Sequence, residues 1–366
     1  LKEVLRIVVR ILAQNDVEKS TSTFVKTDSQ GWPTIIPIEI RDSIRKDYSQ
    51  DFKKLVVGAL LTILSIHRVF PTKVKPSVDT IIASFNGQAR TIDPDLILRS
   101  LKELGWDHSY TKNRRSRLYW SEASGPNTIV AGFGSINDAL ALLYTPIQLK
   151  CVLQTLLARW NFGLFLYFML VVIICGPFYI LLVFCGLIKP FVNGRLSTVY
   201  DQAGKARVIA ITSYWIQLCL SPLHQFLFKK LKEISDVDGT FNQEHPFRRI
   251  LASCKGSTFW GFDLSAATDR LPIDLQDNIL RLIGFNLPWK SLLDIYWYPN
   301  FPCPNDKVRY SVGQPMGALS SWAMLAVTHH VIVKSAAIRM GIKNFKDYCI
   351  LGDDVVIAND IVAAEY

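Results

Sequence analysis

The spacing of apolar residues changes along the chain. In the first half they recur at helical intervals, which predicts helices over residues 1–13, 51–67 and 136–157. A stretch rich in serine and threonine at residues 20–30 predicts a linker. From about residue 195 onward, short apolar runs alternate with helix-length periods. The pattern therefore predicts a fold of the α+β class whose strands lie in the second half.

Residues 162–188 contain no charged side chain. The stretch is long enough to cross a bilayer, which takes about 20 apolar residues. Gly176 and Pro177 divide it into halves that are each short for a membrane span. We expect two buried helices here, and a helical hairpin on a membrane surface is the alternative.

Two adjacent carboxylates, Asp353 and Asp354, stand between two short apolar runs and directly follow Gly352. The runs predict strands and Gly-Asp-Asp predicts a tight turn, so residues 348–357 should form a hairpin. Two carboxylates about 4 Å apart repel each other by roughly 4 kcal/mol at an effective dielectric constant near 20. A bound divalent cation would remove that cost. An ordinary acidic turn is the alternative, because aspartate is common in turns.

A second acidic site lies upstream, in the sequence FDLSAATDRLP. Residues 258–264 predict a strand that ends at Asp263, and Asp269 lies where a helix should begin, with Pro272 in its first turn. This helix should continue to about Gly284. Its buried face should carry Leu275, Ile279, Leu282 and Ile283. Asp263 and Asp353 could share two metal ions across neighbouring strands, and these would act on a phosphoryl group. The alternative for Asp269 is a helix N-cap, which does not exclude a role in such a site.

A third segment, residues 311–322, lies between the two acidic sites. Its glycines predict a loop whose backbone can approach a ligand closely, and a long helix should follow over residues 318–339. Ser320 and Ser321 could then offer hydroxyl groups to a sugar or a base. A plain junction between a loop and a helix is the alternative.

The order of these three segments resembles motifs A, B and C of viral RNA-directed RNA polymerases. The motif sequences FDLSAATDRLP, GQPMGALSSWAMLAVTHH and YCILGDDVVIAND are similar to those in the polymerases of mitoviruses, the capsidless RNA replicons of mitochondria. Residues 238–243 resemble a fingers segment of that family, and residues 203–211 resemble its basic motif F. The resemblance covers residues 195–360.

This resemblance implies roles for the acidic residues. Asp263 and Asp353 match the principal ligands of two Mg²⁺ ions, for which Mn²⁺ can substitute, and Asp354 matches a supporting carboxylate. Asp269 matches the residue that helps to recognise the ribose 2′-hydroxyl. The implied catalytic centre therefore consists of three carboxylates, with a fourth nearby that selects the sugar.

The resemblance also implies nucleotide-binding residues. Gly317, Ser320 and Ser321 match positions that hold nucleotide and template, while Lys205 and Arg207 match residues that contact the triphosphate. A fixed ammonium and a planar guanidinium suit that task, because negative charge grows on the leaving pyrophosphate. For the basic pair, a solvated strand edge is the alternative.

Composition agrees with a nucleic-acid partner. The 366 residues carry a net charge of +10, which favours phosphate-rich partners, and 49% of them are hydrophobic, enough for a large core. Basic residues interleaved with aromatic ones at residues 110–120 suit single-stranded RNA, and a basic surface loop is the alternative. The predicted RNA-binding residues there are Lys112, Arg114, Arg115 and Arg117.

The cysteines and the adjacent histidines bear on redox state and on metal binding. The seven cysteines include no Cys-x-x-Cys pair, so we expect reduced thiols in a protein that is not secreted. His329 and His330 could suggest zinc, but adjacent residues on a helix point in different directions and no cysteine has ligand spacing. We therefore expect the two histidines to be structural.

We thus expect a right-hand polymerase fold with fingers and palm. Residues 1–32 should form an N-terminal helix and linker, residues 33–255 a mostly helical region with the fingers, and residues 256–366 the palm. The chain ends soon after Gly-Asp-Asp, so no thumb is expected, and the sequence should be a truncated or genome-captured copy.

The expected function is template-directed RNA synthesis in mitochondria. The partners would be an RNA template, its product and ribonucleoside triphosphates, with a membrane contact through residues 162–188. One alternative is a reverse transcriptase, against which Asp269 argues because it favours ribonucleotides. The other is an inactive relic that binds RNA or a membrane.

Overall fold

The computed structural model describes residues 2–12, 25–46, 49–66, 69, 74–87, 92–106, 121–159, 161–201, 205–254, 256–285 and 287–366. The predicted RNA-binding residues Lys112, Arg114, Arg115 and Arg117 lie outside this part of the chain, as does the first part of the predicted linker. The described residues form a mixture of helices and short strands, as the sequence predicted.

The chain divides into two compact units. The first comprises Leu1–Pro76 and Val199–Arg207, and the second comprises Ser77–Thr198 and Val208–Tyr366. This division by compactness does not test the predicted fingers and palm, which stay predictions.

Within its described residues, the first unit contains three helices, and two of them were predicted. They are α1 (Lys2–Leu12), α2 (Ile38–Arg45) and α3 (Gln50–Ser65). On each of α1 and α3, apolar residues one turn apart lie on the same side of the helix and form an apolar face. These two faces pack against each other. The buried residues of this small core are Val4, Val8, Trp32, Ile36, Leu60 and Leu64.

Most of the remaining elements belong to the second unit. Its helices are α4 (Asp79–Ile82), α5 (Pro94–Glu103), α6 (Ser135–Ala141), α7 (Pro146–Ala158), α8 (Phe162–Phe184), α9 (Tyr214–Glu233), α10 (Glu244–Ser253), α11 (Ala267–Arg270), α12 (Ile273–Leu282), α13 (Trp289–Leu293), α14 (Ser321–Arg339) and α15 (Asp360–Glu365). The strands are β1 (Gly194–Asp201), β2 (Lys205–Thr212), β3 (Trp260–Asp263), β4 (Tyr298–Pro299), β5 (Tyr348–Leu351) and β6 (Asp354–Ile357). The last residues of β1, from Val199, and the first residues of β2, up to Arg207, belong to the first unit.

The strands form two small sheets. One has the order β2-β1-β4, with β1 and β4 parallel and Arg195 opposite Tyr298. The other has the order β3-β6-β5 and is antiparallel throughout, with Leu351 opposite Asp354. The predicted hairpin over residues 348–357 is therefore confirmed, and β6 is its inner strand.

Helix α14 is the centre of the second unit. It packs against α5, α9, α12 and α15 and is buried on nearly all of its sides. Its apolar residues show no one-sided stripe, which is typical of a helix surrounded by other elements. Val333, Ala336 and Ala337 of this helix pack on Ile350 and Val355 of the second sheet. Side chains alternate between the two faces of a strand, so the opposite face of this sheet is available for the acidic residues.

Helix α8 contradicts the predicted pair of helices. It is a single helix that continues through Gly176 and Pro177. A proline inside a helix removes one hydrogen bond and costs about 3 kcal/mol, which packing of the helix on α6 and α7 offsets.

The expected burial of this segment is also wrong. Only one stripe of α8, with Phe168, Val171, Gly176 and Tyr179, is buried. Large apolar residues on the rest of the helix are exposed, namely Leu166, Leu170, Ile173, Ile174, Phe178, Leu181 and Phe184. Within the described residues, α8 alone has the length and apolar composition of a helix that could cross a membrane, with 22% of its 18-residue window buried.

Candidate active site

Asp263 and Asp354 are directly opposite each other on neighbouring antiparallel strands. Residues in this relation point to the same face of a sheet, with Cβ atoms about 4.5–5.5 Å apart. Both residues are exposed. A cavity of about 150 Å³ opens beside Asp354 and is also lined by Leu351 and by Phe247 of α10. The last residue of β3 and the first residue of β6 thus form an accessible carboxylate pair.

Asp353 lies in the two-residue loop that joins β5 to β6. Gly352, the first loop residue, has φ of 64°, whereas Asp353 has a negative φ. Glycine with positive φ at the first position is the pattern of a type II′ hairpin. The amide of Leu264 donates a hydrogen bond to the carbonyl oxygen of Asp353 at 3.3 Å, which ties the loop to the end of β3. The loop therefore brings Asp353 to the carboxylate pair.

The carboxylates influence one another electrostatically. The pKa of Asp354 is raised, first by burial and then by the negative charges of Asp353 and Asp263. This repulsion is the effect expected for three acidic side chains that converge on one place. The structure thus brings together the three aspartates that the sequence singled out.

The donor set fits magnesium. Carboxylate oxygens are the ligands that Mg²⁺ prefers, and in sites that handle nucleotides it takes one or two protein carboxylates while water and substrate phosphates complete its shell. Over the described residues, no three His, Cys, Asp or Glu side chains are placed to hold an ion by themselves. Asp263, Asp353 and Asp354 therefore suit an ion that arrives with a phosphate-bearing substrate better than one held in a closed protein cage.

Side chains of helix α14 contact the Gly352–Asp353 loop. The indole of Trp322 packs on Gly352 so closely that a Cβ atom there would lie 2.3 Å from its Cη2 atom. His329 is fully buried, and its Nδ1 atom lies 2.8 Å from the carbonyl oxygen of Gly352, while its Nε2 atom lies 2.7 Å from the hydroxyl of Tyr366. Burial is the main reason that the pKa of His329 falls to about 4. A neutral imidazole therefore supports the Asp353 loop.

His330 belongs to a separate buried network. Its Nδ1 and Nε2 atoms each lie 3.0 Å from a partner, the hydroxyl of Tyr348 and a carboxylate oxygen of Asp238. Burial raises the pKa of Tyr348, so its hydroxyl stays protonated and can donate. The hydrogen bonds of both rings support the predicted structural role of the two histidines.

The segment that resembles a fingers motif runs beside β5. Gly239 donates a backbone hydrogen bond to Ile350 at 2.8 Å, and Ile350 donates one to Val237 at 2.9 Å. A carboxylate oxygen of Asp238 accepts a hydrogen bond from the amide of Thr240 at 2.9 Å, which fixes the turn. This segment therefore extends the sheet that carries the aspartates.

Asp269 is not a helix N-cap, so that alternative is wrong. It lies inside the one-turn helix α11, and a second helix, α12, begins only after Pro272. The hydroxyl of Thr80 donates a hydrogen bond to its carboxylate at 2.6 Å. Burial raises the pKa of Asp269, although Thr80 and Arg270 oppose the shift. The carboxylate is therefore oriented by a residue far away in the sequence.

Arg270 and Ser311 fix the segment that carries Thr80. The guanidinium group of Arg270 donates hydrogen bonds to the carbonyl oxygens of Ala83 and Ser84, the latter at 2.7 Å. The amide of Ser311 donates to the carbonyl oxygen of Ile81 at 3.0 Å. Residues from two of the sequence motifs thus hold one segment against Asp269.

The loop before α14 is bonded to the segment of Asp269. Gln314 donates a backbone hydrogen bond to Thr268 at 2.8 Å, and Ile273 donates one to Val312 at 2.9 Å. A Cβ atom on Gly313 would lie 2.2 Å from the carbonyl oxygen of Thr268, so only glycine fits there. The close backbone approach expected for this loop is therefore made to the protein itself.

Gly317, Ser320 and Ser321 end this loop. Gly317 is exposed, has φ of 121° and lies against the backbone of Ala210 in β2. Ser320 and Ser321 are both buried. The hydroxyl of Ser320 accepts a hydrogen bond from the indole of Trp289 at 3.0 Å. The nucleotide-binding roles of the three residues stay predictions.

Lys205 and Arg207 lie on β2, an edge strand, and are exposed. Arg207 forms an ion pair with Asp201 at 2.9 Å. Both belong to the first compact unit, and their predicted contact with a triphosphate stays a prediction. The seven cysteines are free thiols, in agreement with the sequence.

Sequence reasoning missed the residues that support the site. Thr80, Trp322 and Tyr366 lie outside the acidic motifs or beside them without a chemical pattern of their own. The adjacent histidines were the one available signal, because a buried polar ring needs partners for both nitrogen atoms. The sequence did not show what those partners are.

Comparison with known proteins gives consistent matches. A family model for the mitovirus RNA-dependent RNA polymerase matches residues 111–366. The RNA-directed RNA polymerase of Cryphonectria parasitica mitovirus 1 is 44% identical over 379 aligned positions, which cover 100% of this chain and 46% of the viral protein. An uncharacterized mitochondrial protein of Arabidopsis thaliana is 39% identical over 139 residues, which cover 35% of this chain and 55% of that protein.

The chain thus spans about half the length of these curated relatives. Among solved structures, the RNA-dependent RNA polymerase of bacteriophage phi12 is similar with a TM-score of 0.40 and 13% identity, over 80% of this chain and 54% of that chain. Similarity at this level transfers no residue role.

Proposed function

This chain belongs to the mitovirus RNA-dependent RNA polymerase family, and we propose that it is part of an enzyme that synthesises RNA on an RNA template. The observation that carries the proposal is the cross-strand pair of Asp263 and Asp354 with Asp353 in the adjoining loop. Three accessible carboxylates at one sheet edge are suited to metal-assisted phosphoryl transfer. The substrates would be ribonucleoside triphosphates, and the partners an RNA template and its product.

Two Mg²⁺ ions are the proposed cofactors, and Mn²⁺ can substitute for them on oxygen ligands. Asp263 and Asp353 would hold them, and Asp354 would support both through its position opposite Asp263. When bound, the ions would lower the pKa of the RNA 3′-hydroxyl and stabilise the charge of the leaving pyrophosphate. The carboxylates of Asp263, Asp353 and Asp354 would hold the ions at the end of the sheet where β3, the hairpin loop and β6 meet.

Other residues would bind the nucleotide. We assign Asp269 to recognition of the ribose 2′-hydroxyl. The assignment is supported by the fixed orientation of its carboxylate, which accepts a hydrogen bond from the hydroxyl of Thr80 at 2.6 Å. Lys205 and Arg207 would bind the triphosphate, supported by their exposure on an edge strand. The loop that ends in Gly317, Ser320 and Ser321 would hold nucleotide and template. The basic residues assigned to RNA are Lys112, Arg114, Arg115 and Arg117, supported by the net charge of +10.

The fold proposal follows from the same assignments. Residues 256–366 would form the palm of a right-hand polymerase, because the aspartate-bearing sheet and its central helix α14 lie there. Residues 33–255 would contribute the fingers. The segment at Asp238 is an exception, since it adds to the sheet through Ile350 and would belong with the palm.

The activity test is RNA-templated incorporation of a labelled ribonucleotide by this chain with Mg²⁺. Replacement of Asp353 by alanine should reduce incorporation at least 100-fold, since single carboxylates in metal-assisted sites contribute several kcal/mol to the transition state. Replacement of the exposed Asp306 by alanine is the matched control and should retain activity.

Several outcomes would change the assignment. Wild-type activity in the Asp353→Ala protein would refute the site. Preferential use of deoxyribonucleotides would favour a reverse transcriptase. RNA binding without any incorporation by the wild-type chain would favour an inactive fragment or a captured relic.

We also propose a mitochondrial location, with the exposed face of α8 on a lipid bilayer. The location is supported by the family and by the similarity to a mitochondrial protein of Arabidopsis thaliana. Because one stripe of the helix packs on α6 and α7, only its exposed face would contact the lipid.

Liposome flotation tests this contact. Replacing Ile174, Phe178 and Phe184 together by glutamine removes three exposed apolar side chains and should abolish flotation with vesicles of phosphatidylcholine and cardiolipin. Replacing the exposed Ile129 by glutamine is the control and should leave flotation unchanged. Flotation of the triple variant at the wild-type level would refute the proposal. A wild-type dimer in sedimentation analysis that the triple variant loses would assign the face to a second copy instead.

A further inference from the structure

We propose that His329, oriented by Tyr366, is a positioning residue that fixes the Gly352–Asp353 loop in the geometry needed for metal binding. The inference rests on the proposed function, because it assumes that Asp353 is a metal ligand. Its basis is one continuous set of contacts from the core of the second unit to the loop.

The chemistry of the contacts allows one arrangement of protons. The carbonyl oxygen of Gly352 can only accept, so the Nδ1 atom of His329 at 2.8 Å must carry the proton and donate it. The Nε2 atom is then an acceptor, and the hydroxyl of Tyr366 at 2.7 Å must be its donor. Burial raises the pKa of Tyr366 to about 12, so the phenol keeps its proton. Tyr366 thus selects the tautomer of His329 that can hold the loop.

The contacted carbonyl group controls the direction of Asp353. Gly352 and Asp353 share a planar peptide, so fixing the carbonyl of Gly352 fixes the orientation of the backbone that enters Asp353. The amide of Leu264 donates a hydrogen bond to the next carbonyl oxygen, that of Asp353, at 3.3 Å, and the indole of Trp322 packs closely against Gly352. The carbonyl oxygens of Gly352 and Asp353 both accept hydrogen bonds, which restrict rotation of the peptide group that joins the two residues. The hydrogen bond from His329 is the shorter of the two.

The same network reaches the other acidic strand. The ring of Tyr366 stacks on His329 with centroids 5.7 Å apart and packs on Phe262 with centroids 5.0 Å apart. Phe262 directly precedes Asp263 on β3. Tyr366 therefore contacts the supports of both Asp263 and Asp353, so its loss should alter the spacing between the two carboxylates.

His330 provides a matched comparison within the same helix. It is also fully buried and also bonded to a tyrosine hydroxyl, but its partners are Tyr348 and Asp238 at the far end of β5. Removing its ring should disturb packing to a similar degree without releasing the Gly352 carbonyl. A difference between the two histidines would separate positioning from stability.

The test measures binding of the Mn²⁺ complex of a non-hydrolysable ribonucleoside triphosphate to the full chain without RNA, by electron paramagnetic resonance of the ion, because the three aspartates suit an ion that arrives with a phosphate-bearing substrate. Replacing His329 by leucine should weaken affinity for this complex on the order of 10-fold, as is typical for residues that orient metal ligands. His329→Asn keeps a donor near the Nδ1 position and should recover part of the affinity. Tyr366→Phe removes one hydroxyl group and should weaken binding about 3-fold without loss of the folded state.

Each outcome decides the question. Unchanged affinity for the Mn²⁺ complex in a folded His329→Leu protein would overturn the inference, as would an equal loss in His330→Leu. If His329→Leu does not fold, unchanged affinity in Tyr366→Phe would overturn it. Equal binding by wild type and by Asp353→Ala would show instead that the proposed metal site is wrong, which distinguishes failure of the function from failure of the inference.

Discussion

Asp138 is a fully buried carboxylate, and its ionisation should make the stability of the second unit depend on pH. It lies on α6 and accepts hydrogen bonds from the amide of Tyr214 at 2.7 Å and from the side chain of Asn127 at 2.7 Å. Tyr214 is the first residue of α9, whose Gln217 holds the amide of Leu319 beside the candidate site. The carboxylate therefore anchors a helix that supports that site.

The size of the effect follows from the pKa. Burial raises the pKa of Asp138 from 3.8 to about 6, against the two hydrogen bonds that favour the ionised form. The folded state therefore holds this proton more tightly than the unfolded state. The stabilisation is complete below the unfolded pKa and is lost as pH rises through the folded pKa. A difference of about two units corresponds to about 3 kcal/mol, at 1.36 kcal/mol per unit.

The perturbation is Asp138→Asn, which cannot ionise. Asn127 cannot turn to accept a bond from the new amide, because its own amide is bonded to both backbone groups of Val192 at 2.9 Å. Loss of the buried charge should stabilise the variant. Its new amide group, which is itself a donor, faces the donors of Asn127 and Tyr214 and should destabilise it. The stability of the variant at a single pH is therefore not informative. The informative quantity is the change of its difference from wild type with pH.

Urea unfolding followed by tryptophan fluorescence at several pH values between 4 and 7.5 would measure this difference. Relative to Asp138→Asn, the wild type should become about 2.4 kcal/mol more stable as pH falls over this range, because the unfolded carboxyl is still largely ionised at pH 4. Replacing the exposed Asp306 by asparagine is the control and should show a much smaller trend. A difference that does not vary with pH, or a wild type that loses stability relative to the variant on acidification, would refute the reasoning.

Three further predictions concern single contacts. Gly313→Ala should lower the free energy of unfolding by about 2 kcal/mol, because its Cβ atom would lie 2.2 Å from the carbonyl oxygen of Thr268; thermal denaturation measures this. Thr80→Val should reduce discrimination between NTP and dNTP on the order of 10-fold in incorporation assays, because it removes the hydroxyl that orients Asp269. The thiol of Cys219, whose pKa burial raises to about 12, should resist iodoacetamide at pH 8, as measured by mass spectrometry.

Each of these predictions has a control. Gly261→Ala places a Cβ atom in open space and should cost much less stability than the change at Gly313. Thr80→Ser keeps the hydroxyl and should retain sugar discrimination, so an equal loss in serine and valine variants would contradict the orienting role. The exposed Cys185 should react readily, and similar labelling of Cys219 would contradict its burial.

The hairpin with the aspartates could be predicted because its signals are local. Glycine before two aspartates, between two apolar runs, allows few alternatives to a tight turn. The position of Asp263 opposite Asp354 could not be derived in this way. Pairing between strands whose facing aspartates are 91 positions apart depends on the whole fold. The pattern suggested that Asp263 and Asp353 share metal ions, but it did not give the register that places Asp263 opposite Asp354.

The helix after Asp269 was predicted as one element and is two. Proline disfavours helical geometry in the residue before it, and Leu271 is accordingly extended, with ψ of 119°. Pro272 therefore caps α12 instead of lying in the first turn of a longer helix. The break leaves Asp269 on a separate turn, where Thr80 can reach its carboxylate.

Helix α8 shows the limit of hydropathy as a guide. Its composition resembles both a core helix and a membrane helix, and Pro177 resembles a breaker. Which description holds depends on how much of the helix finds partners. The neighbours α6 and α7 cover one stripe, so the outcome was decided by contacts that the sequence does not show.

Backbone strain at two loops adds to the case for a functional site. Ala266 lies between Asp263 and Asp269 with φ of 52°, and Ser320 precedes α14 with φ of 74°. The left-handed region costs a residue with a side chain roughly 1–2 kcal/mol, so such conformations persist where neighbours enforce them. Ser320 is held by Trp289 and by His224, which accepts its amide hydrogen bond at 3.2 Å. Both strained residues lie in segments that the polymerase assignment gives to metal and nucleotide, where a fixed backbone is worth more than the stability it costs.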